Sequence, residues 1–137
     1  MIDQKILCLD FGDARIGLAT SQESLAIPYG ILANDAAFFD RLSKIIEEFS
    51  IEKMVIGLPS PKSQMAQKVK EFSKKLAKFF PITTDFWNEE FSTVEAQRIL
   101  KEQGKTIDES KQLVDELSAS LILQSYLDCK KMEDEAK

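Results

Sequence analysis

Three acidic residues stand where predicted elements of the chain end or turn: Asp10, Glu89 and Asp115. Asp10 closes the apolar run KILCLD and leads into the glycine-containing turn FGDARIG. Glu89 follows the strand-like ITTDFW, and Asp115 opens the nearly all-apolar helical segment LVDELSASLILQSYL. Brought together at one sheet end, such carboxylates would repel one another by roughly 4 kcal/mol per pair at about 4 Å and protein-surface dielectric. A cluster of that kind needs cations, and hard oxygen ligands suit magnesium or manganese. The chemistry open to it is metal-assisted hydrolysis.

Composition narrows the alternatives. The chain has no histidine, which removes the commonest general base, every Ser-His-Asp or Cys-His arrangement and histidine-ligated zinc. Its two cysteines, Cys8 and Cys129, are too few for a disulfide framework or a four-thiolate zinc site. The formal net charge of -5 argues mildly against a nucleic-acid partner, although the placement of charge matters more than its sum. No stretch reaches the ~18 uninterrupted apolar residues of a membrane span, and MIDQKILCLD lacks the pattern of a signal peptide. The expectation is a cytoplasmic protein with no membrane partner, its 137 residues forming one domain with a polar tail from about residue 131.

The elements that must position the three acids follow from periodicity. Strands are predicted over Lys5 to Asp10, Arg15 to Thr20 and about Ile27 to Leu32. Their connections are too short for helical crossovers, so they should form an antiparallel meander. From Asp35 the period becomes helical, with Phe38, Leu42, Ile45, Ile46 and Phe49 on one face. A strand from Met54 to Gly57 stops before Pro59 and Pro61. The next helix, about Ser63 to Phe80, should bury Met65, Val69, Phe72, Leu76 and Phe79, and a strand follows from Ile82 to Trp87. Ser92 and Glu95 have capping-box spacing, placing a helix from Thr93 that ends before Gly104. A last helix is expected from about Glu109 to Lys130 with Asp108 as its cap, followed by the fraying tail KKMEDEAK. This pattern predicts an α/β fold with a five-stranded mixed sheet in the order 3-2-1-4-5 and helices on both faces. Asp10, Gly57 and Trp87 would then end neighbouring strands beside one crevice.

Several segments could meet a substrate there. Gly12 and Gly17 in the turn after Asp10 would let backbone approach a phosphate, although a hairpin turn needs the same residues. The phosphate loop of the actin and sugar-kinase group also places an acid and glycines after a first strand, but it works with two such domains. Gly57 and Pro59 of VIGLPS would shape the crevice floor, and Arg15 adjoins the proposed metal site. Lys70, Lys74 and Lys78 form an i, i+4 row with Lys62 and Lys75 nearby. The row is either a solvated face or a phosphate-binding stripe. Glu95 is accounted for by its cap.

Taken together, ILCLDFGDARIGLA, VIGLP, WNEEFSTVEAQRIL and VDELSASLILQSYLD resemble the YqgF/RuvX family in order and spacing. Its members are described as pre-16S rRNA nucleases and as Holliday-junction-resolvase-like proteins. The resemblance implies an RNase H-like fold and metal-dependent phosphodiester hydrolysis. It maps the family's first-strand aspartate onto Asp10, the glutamate of its Asp-Glu-Arg motif onto Glu89 and its last-helix aspartate onto Asp115. Two departures stand out: this chain reads Asn88-Glu89-Glu90 in place of Asp-Glu-Arg, and the glycine that commonly follows the GLP loop is missing.

The function expected is a nuclease using Mg2+ or Mn2+ at Asp10, Glu89 and Asp115 on structured RNA, foremost pre-16S rRNA ends, with a ribosomal particle as a candidate partner. Arg15, Gly12, Gly57, Pro59, Lys62, Lys70 and Lys74 would contact the substrate. The alternatives are a nucleic-acid-binding module with weakened activity, which Asn88 and Glu90 could signal, and a resolvase of DNA junctions.

Overall fold

The computed structural model describes residues 4–88 and 107–135, with side chains described for 4–88 and 117–132. The described elements are β1 (Ile6–Asp10), β2 (Arg15–Gln22), β3 (Leu25–Ala33), α1 (Phe38–Phe49), β4 (Lys53–Leu58), α2 (Gln64–Phe79), β5 (Thr83–Asn88) and α3 (Ile107–Glu135). The sheet order is β3-β2-β1-β4-β5, as expected. β1 and β2 pair antiparallel, as do β2 and β3, while β1–β4 and β4–β5 are parallel. The crossover between β4 and β5 is α2.

β1 is central and covered on both faces, which is why its sequence is almost wholly apolar. Its alternate side chains enter two different cores. Leu7 and Leu9 join Ile16, Leu18, Met54 and Ile56 beneath α1 and α2, which contribute Phe38, Leu42, Val69, Phe72 and Leu76. Ile6 and Cys8 join Ala19 and Val55 beneath α3, which contributes Ala119, Ile122, Leu123, Tyr126 and Leu127. Helices therefore lie on both faces.

Four details depart from the sequence reading. The break expected between Thr20 and Ile27 is a two-residue turn, because Glu23 adopts a left-handed φ of 58° and both strands run on to pair Gln22 with Leu25. Gly30, at φ 147°, sits where the β2–β3 register shifts between Leu18 and Ala19, a backbone conformation that favours glycine. Phe79, expected in the core, is 63% exposed and lies against Phe39 at 4.7 Å. α3 continues past Lys130 to Glu135, and Asp108 lies inside it instead of capping it. Residues 130–135 contain no glycine or proline, and the Lys130 ammonium rests 5.5 Å from the Tyr126 ring one turn earlier. The helix predicted from Thr93, with its Ser92–Glu95 cap, lies outside the described residues.

Candidate active site

β1 ends at Asp10, the first residue of the strand that is not fully buried. Side chains alternate along a strand, so Asp10 falls on the face of Ile6 and Cys8, the one covered by α3. Its register partner is Gly17, which leaves no side chain beside the carboxylate on the neighbouring strand. Asp10 lines an open hollow of about 300 Å³ with Phe11, Gly12, Asp13, Arg15 and Gly17. The structure thus brings together Asp10, Gly12, Arg15 and Gly17 of the residues singled out from sequence.

The turn that shapes this hollow is fixed by its own backbone. A Cβ on Gly12 would lie 2.6 Å from the Arg15 carbonyl oxygen, so glycine is required for the turn to close. Asn34, just beyond β3, donates from Nδ2 to the Gly12 carbonyl at 2.9 Å, and its backbone N–H donates to the Ala14 carbonyl at 2.9 Å. From the other side Lys68 of α2 reaches Asp13 at 3.0 Å. The turn is therefore held by β3 and α2 as well as by its own strands.

The remaining candidates are distributed differently. Gly57 is buried in β4 opposite Trp87, and Pro59 follows the strand; neither lines the Asp10 hollow. Lys62, Lys70 and Lys74 are exposed, and none of them forms an ion pair among the described residues. The α2 lysines that overlook the turn are Lys68 and Lys75, which are seven residues apart and so share a helix face. Glu89 and Glu90 lie outside the described residues. For Asp115 the structure describes the helix backbone.

The course of α3 follows from its contacts. Gln124 accepts at Oε1 from the Ala26 N–H (2.9 Å) and donates from Nε2 to the Ser24 carbonyl (3.0 Å), gripping the β2–β3 hairpin. Tyr126 donates to Asp85 Oδ2 at 3.0 Å, and Asp85 is in turn paired with Lys53 at 2.7 Å, at the start of β4. Residues 124–126 are thus tied to the β2–β3 hairpin, to the start of β4 and to β5. Trp87 of β5 donates from Nε1 to Ser125 Oγ at 3.1 Å, tying the edge strand to the same helix.

The Lys53–Asp85–Tyr126 group is polarised by these contacts. Burial by itself would lower the Lys53 pKa, but the hydrogen bonds and charges of Asp85 and Tyr126 outweigh it and raise the ammonium above its ordinary value. The Lys53 hydrogen bond holds Asp85 below the ordinary carboxylate value, against an opposing contribution from burial. The pair is charged throughout the neutral range.

Comparison with known proteins connects this arrangement to a family. A match to the RuvX family, described as Holliday junction resolvase, covers residues 4–129. The chain belongs to the RuvX family. Among its relatives, a protein of Koribacter versatilis (strain Ellin345) named "Putative pre-16S rRNA nuclease" is 38% identical, over 90% of this chain and 86% of its own length. A protein of the same name from Caldicellulosiruptor saccharolyticus is also 38% identical, over 90% of this chain and 96% of its own length. Among solved structures, T. thermophilus RuvC in complex with a Holliday junction substrate superposes with a TM-score of 0.56 at 11% identity, covering 93% of this chain and 96% of RuvC. At that identity the likeness establishes the fold, which is RNase H-like. In this RuvX chain Asp13, Asn34 and Lys68 were not singled out from sequence. No local pattern marks them, since their contacts join segments 22 and 55 residues apart.

Proposed function

We propose that this protein hydrolyses phosphodiester bonds in structured RNA, with Asp10, Glu89 and Asp115 as oxygen ligands for Mg2+ or Mn2+. The observation that carries the reading is the position of Asp10. It is a half-buried carboxylate at the carboxyl end of the central strand, on the face covered by α3 and open to a hollow. Its oxygen donors suit a hard divalent cation. Position 115 lies in α3, one helical turn before Ala119, which is buried against the face that Asp10 shares. β5 ends at Asn88, beside the end of β4, so Glu89 follows directly from that edge.

When bound, the metal would neutralise phosphate charge and lower the pKa of an attacking water. The chain's own residues do the rest. Arg15, on the wall of the Asp10 hollow, pairs with a substrate phosphate, and the Gly12 turn lets backbone come close to the strand being cut. Gly57 and Pro59 shape the end of β4 next to it. Lys62, exposed before α2, meets phosphates further along, and Lys70 and Lys74 reach only a substrate that wraps around α2. The names of the relatives favour pre-16S rRNA as substrate. Action at its ends, in the cytoplasm and within a ribosomal particle, is part of the same proposal.

The test is cleavage of a precursor rRNA fragment with and without magnesium. Asp10→Asn should lower the rate beyond the roughly 10–100-fold typical of changes outside a metal's direct ligands. Cleavage at the wild-type rate by Asp10→Asn would remove this reading. The family description and the RuvC likeness favour a second reading, resolution of four-way DNA junctions. Parallel assays on a junction substrate separate the two.

A further inference from the structure

A second hollow, of about 380 Å³, lies beside the Asp10 hollow and shares Phe11 with it. That volume is within the roughly 300–1,000 Å³ of small-ligand sites. Its floor is aromatic: partly exposed Phe11 and Phe39 flank buried Phe72, with ring centroids 4.8 and 6.0 Å from it. Its rim is polar, with Asn34 on one side and Lys68 and Lys75 of α2 on the other.

We infer that this hollow is a subsite for one unpaired nucleotide next to the scissile phosphate, its base resting on Phe11 and Phe39 and its phosphate held by Lys68. The inference rests on the nuclease reading only for which phosphate is cut. Three features favour a nucleotide. Apolar ring surface suits the face of a base and is indifferent to its sequence. The rim also carries Asp35 and Glu71, whose carboxylates can accept from the exocyclic amino groups of bases. Asp35 is already engaged by Arg41 at 3.1 Å, which leaves Glu71 as the acceptor. Lys68 is held at rest by Asp13 in an exposed pair, and such pairs are weak enough for a phosphate to displace the carboxylate.

The concave shape sets the substrate class. A base inside a duplex has both faces stacked and its pairing edge occupied, so only a loop, bulge or single-stranded end could enter. A strand with one phosphate at Asp10 would place the adjoining nucleotide near Phe11, since that residue borders both hollows.

The experiment is equilibrium binding of a short fluorescent single-stranded RNA to the full chain in EDTA, followed by anisotropy. Competitors are the same strand in a duplex and the same strand with abasic positions. The single strand should bind more tightly than the duplex. Phe39→Leu should raise Kd by about fivefold or more, and its effect should vanish on the abasic strand. Lys68→Ala should reduce the slope of log K against log salt by about 0.7, and Lys68→Arg should restore it. Equal binding of duplex and single strand, or Lys68→Ala with wild-type affinity and salt dependence, would overturn the subsite. Lys68 is exposed, so this arm stands even if Phe39→Leu perturbs folding. Because no cleavage is involved, loss of the subsite is distinguishable from loss of the nuclease reading, which Asp10→Asn decides.

Discussion

On the side of α1 and α2 the sheet packs through a larger, phenylalanine-rich core, whereas on the side of α3 a smaller core is joined by a set of directional polar contacts. Phe38, Leu42, Phe72 and Leu76 fill the first interface, extended by partly buried Phe11 and Phe39. In the second, small Cys8, Ala19 and Ala119 lie among Ile122, Leu123, Tyr126 and Leu127, and α3 also buries two serines, Ser118 and Ser120. α3 is then positioned by Gln124 on the β2–β3 hairpin, Tyr126 on Asp85 and Trp87 on Ser125. Burial of apolar area is non-directional and secures docking, while hydrogen bonds fix where along the sheet a helix stops. The side with directional contacts is the one that faces Asp10 and carries Asp115. A proposed metal site needs that accuracy more than it needs extra stability.

Three substitutions probe this contrast. Phe38→Ala, on the α1 and α2 side, should cost about 3–5 kcal/mol in urea unfolding. A loss below about 1 kcal/mol would mean that this interface is not close-packed. Ala119→Leu, on the α3 side, should cost about 1–3 kcal/mol by overpacking. It should also weaken Mn2+ binding measured by calorimetry, because it lifts α3 from the sheet; unchanged metal affinity would sever helix position from the site.

The smallest effect concerns Lys53 and Asp85. The Asp85 pKa is lowered in the folded protein, so its contribution is present above the ordinary value of 3.8 and is lost as pH falls through and below it. The Lys53 pKa is raised, so its contribution is present below the ordinary value of 10.5 and is lost as pH rises past it. Lys53→Met should flatten stability against pH at the acid end, by no more than about 1 kcal/mol since the Asp85 side chain is 38% exposed. An acid limb identical to wild type would show that the pair adds nothing beyond its surroundings.

Much of the fold was legible because periodicity reports burial. ILCLD and KMVIGL are apolar on both alternations and became the central strand and its parallel neighbour, and the short connections dictated the meander. The β2–β3 turn was not legible: Gln22-Glu23-Ser24-Leu25 contains no glycine or asparagine, and the side-chain amide that grips the hairpin, Gln124, is about a hundred residues away. The lysine row shows the same limit at the site. The i, i+4 spacing of Lys70 and Lys74 was visible, but which face of α2 overlooks the turn depends on how Val69, Phe72 and Leu76 dock, and that face carries Lys68 and Lys75.

The order of residues by itself determined the strand sequence, the family, and an aspartate at the end of the central strand, because each follows from local apolar pattern or linked motifs. Only the tertiary structure decided that Asp10 lies on the α3 side, that Asn34 and Lys68 brace its turn, and that an aromatic hollow adjoins it. Those outcomes depend on the relative placement of elements, which is set by side chains meeting across long sequence separations and leaves no local signature.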